Sequence, residues 1–529
     1  MKLHIDHHSI LVLMACFSIF FLGCSSHPSP PESQKYTEKY RPRFHFSPDS
    51  MWTNDPNGMV FYDGEYHLFY QHYPHDIVWG PMHWGHAVSA DLVRWIHLPV
   101  ALYPDSLGYI FSGSAVVDVQ NTSRLGSRDN PPMIAVFTHH NDSLRKTGTD
   151  QFQYQSIAFS LDHGRTWTKY EGNPVLKNPG IRDFRDPKVL WFEAGRRWIM
   201  VLAAHDRVMF YSSPDLLNWS LESSFGENTG AHGGVWECPD LFQLGAENVE
   251  KWVLLVSVNP GGPNGGSATQ YFTGEFDGHR FFNDNPTAEP LWIDYGKDNY
   301  AGVTWSGIPG QDGRRIFLGW MSNWQYANQV PTTRWRNAMT LPRELKLAMH
   351  QDGLRLHSIP VKELLQLRMD SLQVIRGMLS GTKLICSAPE TIVDQVEIDL
   401  KIRMQLPGKS TLTSRFGLML SNNLGQKLIA ELDLENGQVF VDRTAAGPAD
   451  FSQHFQGVHT APLPLPDSGE FSLHVFIDRS SIEIFVNDGW TVMTELVFPG
   501  ERFSRLSMYA EEADVEILSG AVYSLGSIW

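Results

Sequence analysis

Ser89-Ala90-Asp91-Leu92-Val93-Arg94-Trp95 comes back as Ser213-Pro214-Asp215-Leu216-Leu217-Asn218-Trp219, and in longer form as Ser160-Leu161-Asp162-His163-Gly164-Arg165-Thr166-Trp167. Phe276-Asp277-Gly278-His279-Arg280-Phe281 is a looser fourth copy. In the longer form the Asp is expected to cap a tight turn by accepting backbone N–H bonds, with the Trp packed beneath it. Turns repeated at wide spacing point to a chain built from similar stacked units.

Outward from these turns, strand starts repeat as well. First strands are expected near Asp55, Ser112, Asp186, Glu237 and Tyr300, at intervals of 57, 74, 51 and 63 residues. Each leads into a hairpin, such as Val60-Phe61-Tyr62-Asp63-Gly64-Glu65-Tyr66-His67-Leu68-Phe69. Five units of four short strands make a five-bladed β-propeller, and Ser-x-Asp-x-Gly-x-Thr-Trp looks like the Asp-box turn of such proteins. The propeller is expected over residues 41–348, followed by a linker at 349–380 with a short helix near Val361 to Met369. From 381 to 529 hydrophobicity alternates with period two, as in Val396 to Ile402, Leu428 to Leu434, Phe471 to Ile477, Ile482 to Val486 and Val515 to Leu518. Turns such as Asn487-Asp488-Gly489 separate these runs, which read as a β-sandwich. The fold class is all-β.

Composition agrees. The chain has 529 residues, enough for two domains, with 12% aromatics, 44 Gly and 32 Pro, which favours short strands and turns over long helices. The net charge of −16 repels phosphate backbones and argues against nucleic acid as a partner, while neutral polymers such as sugars are left open. Leu11 to Leu22 is apolar but short for a bilayer span, and fits a secretion signal. Phe21-Leu22-Gly23-Cys24 resembles a bacterial lipoprotein box, so residues 1–24 are expected to be a signal with Cys24 lipidated. Residues 25–40, rich in Pro and Ser, read as a tether. The expected location is the periplasm or the outer membrane surface. The cysteines, Cys16, Cys24, Cys238 and Cys386, form no disulfide framework or zinc spacing. His83, His86, His139 and His140 give no closed metal site, and no cofactor is expected.

The chemistry lies at three strand starts. Trp52-Thr53-Asn54-Asp55-Pro56-Asn57-Gly58, Phe184-Arg185-Asp186-Pro187 and Trp236-Glu237-Cys238-Pro239-Asp240 each place a carboxylate ahead of an apolar β-rich run. Alone, Asp55 fits a plain turn and Asp186 a structural ion pair. At equivalent ends of propeller strands, however, the three would meet in one funnel. Converging acids beside tryptophans suit glycosidic bond cleavage. Asp55, among polar neighbours, suits a nucleophile. Glu237, read as sitting in an apolar setting that raises a carboxyl pKa, suits the acid/base. Asp186 suits hydrogen bonding to sugar hydroxyls and stabilisation of an oxocarbenium-like transition state. Trp52, Trp79, Trp84, Phe111, Trp236 and Trp320 are candidate sugar platforms, and Gln71 and Ser112 candidate hydroxyl partners.

These residues resemble glycoside hydrolase family 32, the invertase–inulinase–levanase group, over roughly residues 42 to 529. The likeness is carried by the three acid motifs with Tyr70-Gln71, Trp79-Gly80-Pro81-Met82-His83-Trp84-Gly85-His86, Phe111-Ser112-Gly113-Ser114 and Gly319-Trp320-Met321-Ser322-Asn323-Trp324. It implies a propeller followed by a sandwich, Asp55 as nucleophile, Asp186 as transition-state stabiliser and Glu237 as acid/base. It also implies fructose binding by Asn54, Gln71, Trp79, Phe111, Ser112, Arg185, Tyr300 and Trp320, with Cys238 tuning Glu237. Thr53 and Asn299 depart from the family pattern and are expected at the pocket rim.

The expected activity is a retaining β-fructosidase, exo-acting on levan, inulin or sucrose, with fructan or fructo-oligosaccharide as its partner. An endo-acting levanase, an inverting propeller glycosidase on arabinan or xylan, and a non-catalytic lipid-anchored glycan-binding protein are the alternatives. The Phe-Ser-Gly-Ser segment and the trailing sandwich argue against the inverting enzyme. A binder has no need of a proton-donating Glu237. The oligomeric state is not legible.

Overall fold

The computed structural model describes residues 36–246, 249–285, 289–373, 376–387, 393–404 and 415–529. The expected signal, Cys24 and the first part of the tether lie outside the described residues.

Five four-stranded antiparallel units follow one another, and their inner strands are Met51–Tyr62, Tyr109–Val117, Phe184–Phe192, Val235–Ala246 and Tyr300–Thr304. These are the five expected starts, and the units are blades one to five of a propeller. The ring closes where Trp335–Arg336, within blade five's sequence, pairs in parallel with Met51 and Trp52 of blade one. Phe61 N also donates to Ser306 O at 2.8 Å, tying the last inner strand to the first. Apolar layers fill the space between blades, such as Val136, Ile157, Val189 and Met200 between two and three, and Val201, Phe210, Leu254 and Phe272 between three and four. Each such buried side chain contributes roughly 1.5–3 kcal/mol by leaving water.

The repeated turns occupy one position in four blades, between the third and fourth strands. In blade one Oδ1 of Asp91 accepts from Val93 N and Arg94 N at 3.0 and 2.8 Å. In blade three Asp215 does the same with Leu217 N and Asn218 N, at 3.0 and 2.9 Å. Trp167 and Trp219 close the turns from below by donating to Gly164 O and Leu216 O, each at 3.0 Å. These capped turns join each blade's outer strand to the rest of the blade.

The C-terminal domain is sandwich-like and centred on one 21-residue strand, Arg505–Leu525. Its first part pairs with Arg415–Ser421 and its second with Val396–Arg403, so a single strand serves both layers around a core of Ile398, Leu418, Val475 and Ile484. The Asn487-Asp488-Gly489 turn carries positive φ at all three residues. Gly489 also lies against blade five, where a Cβ would meet Ser358 O at 2.1 Å, so only glycine fits.

Two boundaries differ from expectation. The linker read at 349–380 shrinks to residues 361–367. Gly353–Pro360 pairs residue for residue with Arg343–His350 as the outer strand of blade five, and Arg368–Gln373 and Gly377–Ser387 pair with Arg505–Leu525. The buried alternation of Leu354, Leu356 and Ser358 is the physical cause. The short helix is a single 3-10 segment, Lys362–Leu367. Residues 36–40, read as tether, pack on the sandwich: Tyr36 stacks on Trp529 at 4.1 Å and Tyr40 donates to Pro499 O at 3.1 Å.

Candidate active site

Every inner strand carries one extra residue near its start, and in three of the five it falls at a candidate acid. Against its neighbouring strand the register slips between Thr53 and Pro56, Ile110 and Gly113, Arg185 and Lys188, Glu237 and Asp240, and Tyr300 and Val303. These are β-bulges, which bend a strand and re-aim a side chain. They explain how Pro56, Pro187 and Pro239 sit inside central strands, where proline otherwise removes a ladder bond. Asp186, Cys238 and Ala301 adopt left-handed φ of 65°, 45° and 54° at three of them. Each such non-glycine residue costs roughly 1–3 kcal/mol, repaid by packing elsewhere.

The bulges bring Asp55, Asp186 and Glu237 to one cavity of about 310 Å³, which is also lined by Asn54, Gln71, Trp79, Phe111, Ser112 and Arg185. Asp55 accepts from Asn54 Nδ2 at 2.8 Å on one oxygen and from Ser112 Oγ at 2.7 Å on the other. Asn54 is itself held by Trp52 Nε1, at 2.7 Å. Asp186 accepts from Cys238 N at 3.1 Å, and its own amide donates to Thr138 Oγ1 at 3.0 Å. Arg185 donates to Oε1 of Glu237 from Nε and Nη2, at 3.1 and 2.9 Å, and to Asp183 from Nη1 at 2.7 Å. The Tyr300 hydroxyl donates to the other Glu237 oxygen.

Glu237, Asp183 and, at 3.9 Å, Asp186 share the Arg185 guanidinium. Burial pushes the Asp55 carboxyl above its ordinary range, with the Glu237 charge adding to it, while Ser112 and Asn54 pull the other way. Burial likewise raises Asp186, to about 7, opposed by Arg185 and reinforced by Glu237 and Asp55. Burial disfavours the Arg185 cation, but Glu237, Asp186 and Asp183 outweigh it and hold the guanidinium firmly protonated. One layer deeper, Lys188 Nζ bonds Asp240 at 3.0 Å and Thr304 O at 2.7 Å, tying the inner strands of blades three, four and five together.

Residues 45–360 match the Glycosyl hydrolases family 32 N-terminal domain, and residues 363–524 match the Glycosyl hydrolases family 32 C terminal. The chain belongs to glycosyl hydrolase family 32. It is 48% identical over 509 residues to a levanase of Bacillus subtilis (strain 168), covering 94% of this chain and 72% of that protein. It is 37% identical to an extracellular exo-inulinase of Aspergillus awamori, covering 93% and 96%. The crystal structure of the exo-inulinase from Aspergillus awamori superposes with a TM-score of 0.84 at 35% identity, over 93% of this chain and all of that one. The fructofuranosidase from Schwanniomyces occidentalis complexed with fructose gives 0.84 at 33% identity, over 94% and 100%. The protein is a glycosidase, and its three acids belong to the first, propeller domain of that family.

Several expectations need correction within this family 32 site. The setting of Glu237 is polar, not apolar, because Arg185 and Tyr300 hold both its oxygens. The hydrogen-bond partners of the Cys238 thiol are Asp55 and Asp186, whose oxygens lie 3.5 and 3.7 Å from Sγ. Burial and the three acids push the thiol well above its usual range, so it remains a protonated donor. Tyr300 and Trp320 are buried and do not line the cavity, and Tyr300 reaches it through its bond to Glu237. Trp320 backs Trp324, with centroids 4.9 Å apart. Thr53 and Asn299 are buried rather than at the rim; Thr53 Oγ1 donates to Gln71 O at 3.1 Å and Asn299 Nδ2 to Asp294 at 3.0 Å.

Trp52, Trp84 and Trp236, expected as sugar platforms, are fully buried and do not line the cavity, whereas Asn54, Gln71, Trp79, Phe111, Ser112 and Arg185 do. Gln71 is buried with its Nε2 lacking a partner among the described residues, a donor left for a ligand hydroxyl. Trp79 stands at the rim, 39% exposed, edge-on to Phe111 at 6.1 Å. The cavity also takes in Trp324, His140, Arg145, Phe152, Gln153, Arg182 and Asp183, which sequence reading did not assign to it. His140 stacks on Phe111 at 4.3 Å and burial lowers it to about 4, so it is a neutral wall residue. Trp324 follows Trp320 in a motif already singled out. The others come from the loop around the short helix Asp142–Lys146 and the approach to blade three, where no motif marks them.

Proposed function

We propose that the protein is a retaining, exo-acting β-fructosidase that releases fructose from the ends of levan and inulin and from sucrose. In the first half-reaction a carboxylate oxygen of Asp55 attacks C2 of the terminal fructosyl unit. Glu237 gives its proton to the departing oxygen, the C2–O bond breaks and a fructosyl ester forms on Asp55. In the second half, Glu237 takes a proton from water as the water oxygen attacks C2, which frees fructose and restores both acids. Two inversions leave the configuration unchanged. Asp186 accepts hydroxyl hydrogen bonds and offsets the positive charge that develops on the ring. Arg185 and Tyr300 orient Glu237.

The carrying observation is a small cavity into which three bulged strands point their carboxylates. About 310 Å³ lies at the low end of ligand cavities and suits a chain end rather than a run of internal units. The levanase and exo-inulinase relatives support fructan as the substrate class. Product profiling on levan, inulin and sucrose tests the reading. Fructose alone is expected, and mixed oligosaccharides from levan would replace it with the endo-acting alternative.

The run Phe21-Leu22-Gly23-Cys24 supports lipid attachment at Cys24 and a place in the periplasm or on the outer membrane surface. Labelling with a palmitate analogue should mark the wild type and not Cys24→Ala; label on both would reject it.

A further inference from the structure

Away from the acids, a groove of about 950 Å³ opens where blades four and five meet the sandwich, and it shares no lining residue with the catalytic cavity. Trp292 and Tyr295 come from the crossing between the two blades, His350 and Arg355 from the outer hairpin of blade five, and Leu465 and Trp490 from the sandwich. The Trp490 indole is fixed in place: it stacks on His350 with centroids 3.6 Å apart, and His350 stacks on His357 at 5.1 Å. Met349 and Leu465 are 58% and 42% exposed, an unusual state for large apolar side chains at a concave surface.

The chemistry selects a ligand. Fixed aromatic faces cover the C–H faces of a sugar ring, and planar polar groups serve its hydroxyls. Arg355 is paired with Asp352 and bonds Leu354 O at 2.9 Å, so its guanidinium is not left free for a phosphate. The groove's volume is at the top of the range for ligand sites, about three times that of the catalytic cavity. We propose that this groove is a second binding site for a neutral fructan segment, holding the polymer while its end is processed elsewhere on the molecule. The proposal rests on the fructosidase reading above. Holding one segment raises the effective concentration of chain ends at the acids without changing the chemical step.

The full chain tests this by affinity electrophoresis through gels containing levan, in parallel with kinetics on sucrose and on polymeric levan. Glu237→Gln serves as the uncut reference in the gels. Adding Trp490→Ala to it should weaken retention about five- to tenfold, the worth of one stacked ring. In the active enzyme Trp490→Ala should raise KM for polymeric levan by a similar factor and leave kcat and KM for sucrose within about twofold. Because Trp490 packs on His350, the surface pair Met349→Glu with Leu465→Glu is run alongside and should give the same retention loss with unaltered melting. Unchanged levan retention in both variants overturns the proposal. So does light scattering that shows a dimer dissociated by the surface pair while levan retention holds, which would make the groove a contact between copies. Failure of the wild type to hydrolyse any fructan would instead strike the catalytic reading, which the gels do not measure.

Discussion

Arg185 grips a single oxygen of Glu237 with two nitrogens, at 3.1 and 2.9 Å, while its third nitrogen holds Asp183. The guanidinium fork fixes the acid's direction as well as its charge, and an ammonium cannot copy it. Arg185→Lys should lower kcat/KM on sucrose by about 10²–10³-fold. Circular dichroism and melting should stay near wild type, since the charge is kept. Activity within threefold of wild type would show that the fork is dispensable.

Cys238 faces Asp55 and Asp186 from a buried position with its thiol held protonated. Iodoacetamide should therefore leave it unmodified in the native enzyme at pH 8 and alkylate it after urea unfolding, as read by peptide mass spectrometry. Cys238→Ala removes a weak donor and should reduce kcat about five- to tenfold. Rapid alkylation of Cys238 in the native state would contradict its placement.

Asp186 is raised to about 7 in the folded protein from an ordinary 3.8. The native state thus holds this proton to higher pH than the unfolded chain, and stability from this group falls as pH climbs through that interval. Asp186→Asn removes the cost. The variant should be nearly inactive yet more stable than wild type at pH 8, by on the order of 2 kcal/mol, with little gain at pH 4. Equal gains at both pH values would contradict the raised carboxyl.

His45 lies buried between Asp478 and Glu483, at 2.9 and 2.8 Å, where the N-terminal segment crosses onto the sandwich. Burial opposes its charge, but the two carboxylates outweigh this and raise it from 6.5 to about 9. The stabilisation is complete below 6.5 and is lost as pH rises through 9. His45→Gln should cost about 3 kcal/mol at pH 6 and flatten the fall in melting temperature between pH 7 and 9. A variant that melts in parallel with wild type across that range would refute the pairing.

Trp79 stands at the rim, 39% exposed and edge-on to Phe111. Trp79→Ala should raise KM for fructans about tenfold and leave kcat within about twofold. A selective loss of kcat would place the indole in the chemical step instead.

Much of this was readable along the chain. The Asp91, Asp162 and Asp215 turns and the spacing of Asp55, Ser112, Asp186, Glu237 and Tyr300 carry the blade count, because capped turns and strand alternation are local properties. The outer strand Gly353–Pro360 was lost in an expected linker although its alternation was present, since Gly and Pro at its ends also read as linker punctuation. Tyr36 to Tyr40 read as a tether because stacking on Trp529, at the far end of the chain, leaves no local trace.

The sequence alone determined the five-bladed propeller, the trailing sandwich and the three acids, since each rests on residues a few positions apart. Only the tertiary structure decided which way those side chains point. A bulge brought the Cys238 Sγ to Asp55 and Asp186, Trp320 packed behind Trp324, and loops brought Arg145 and Arg182 to the cavity. Those directions depend on the register between neighbouring strands and on loops from other blades, and one extra residue in a strand reverses the face a side chain takes.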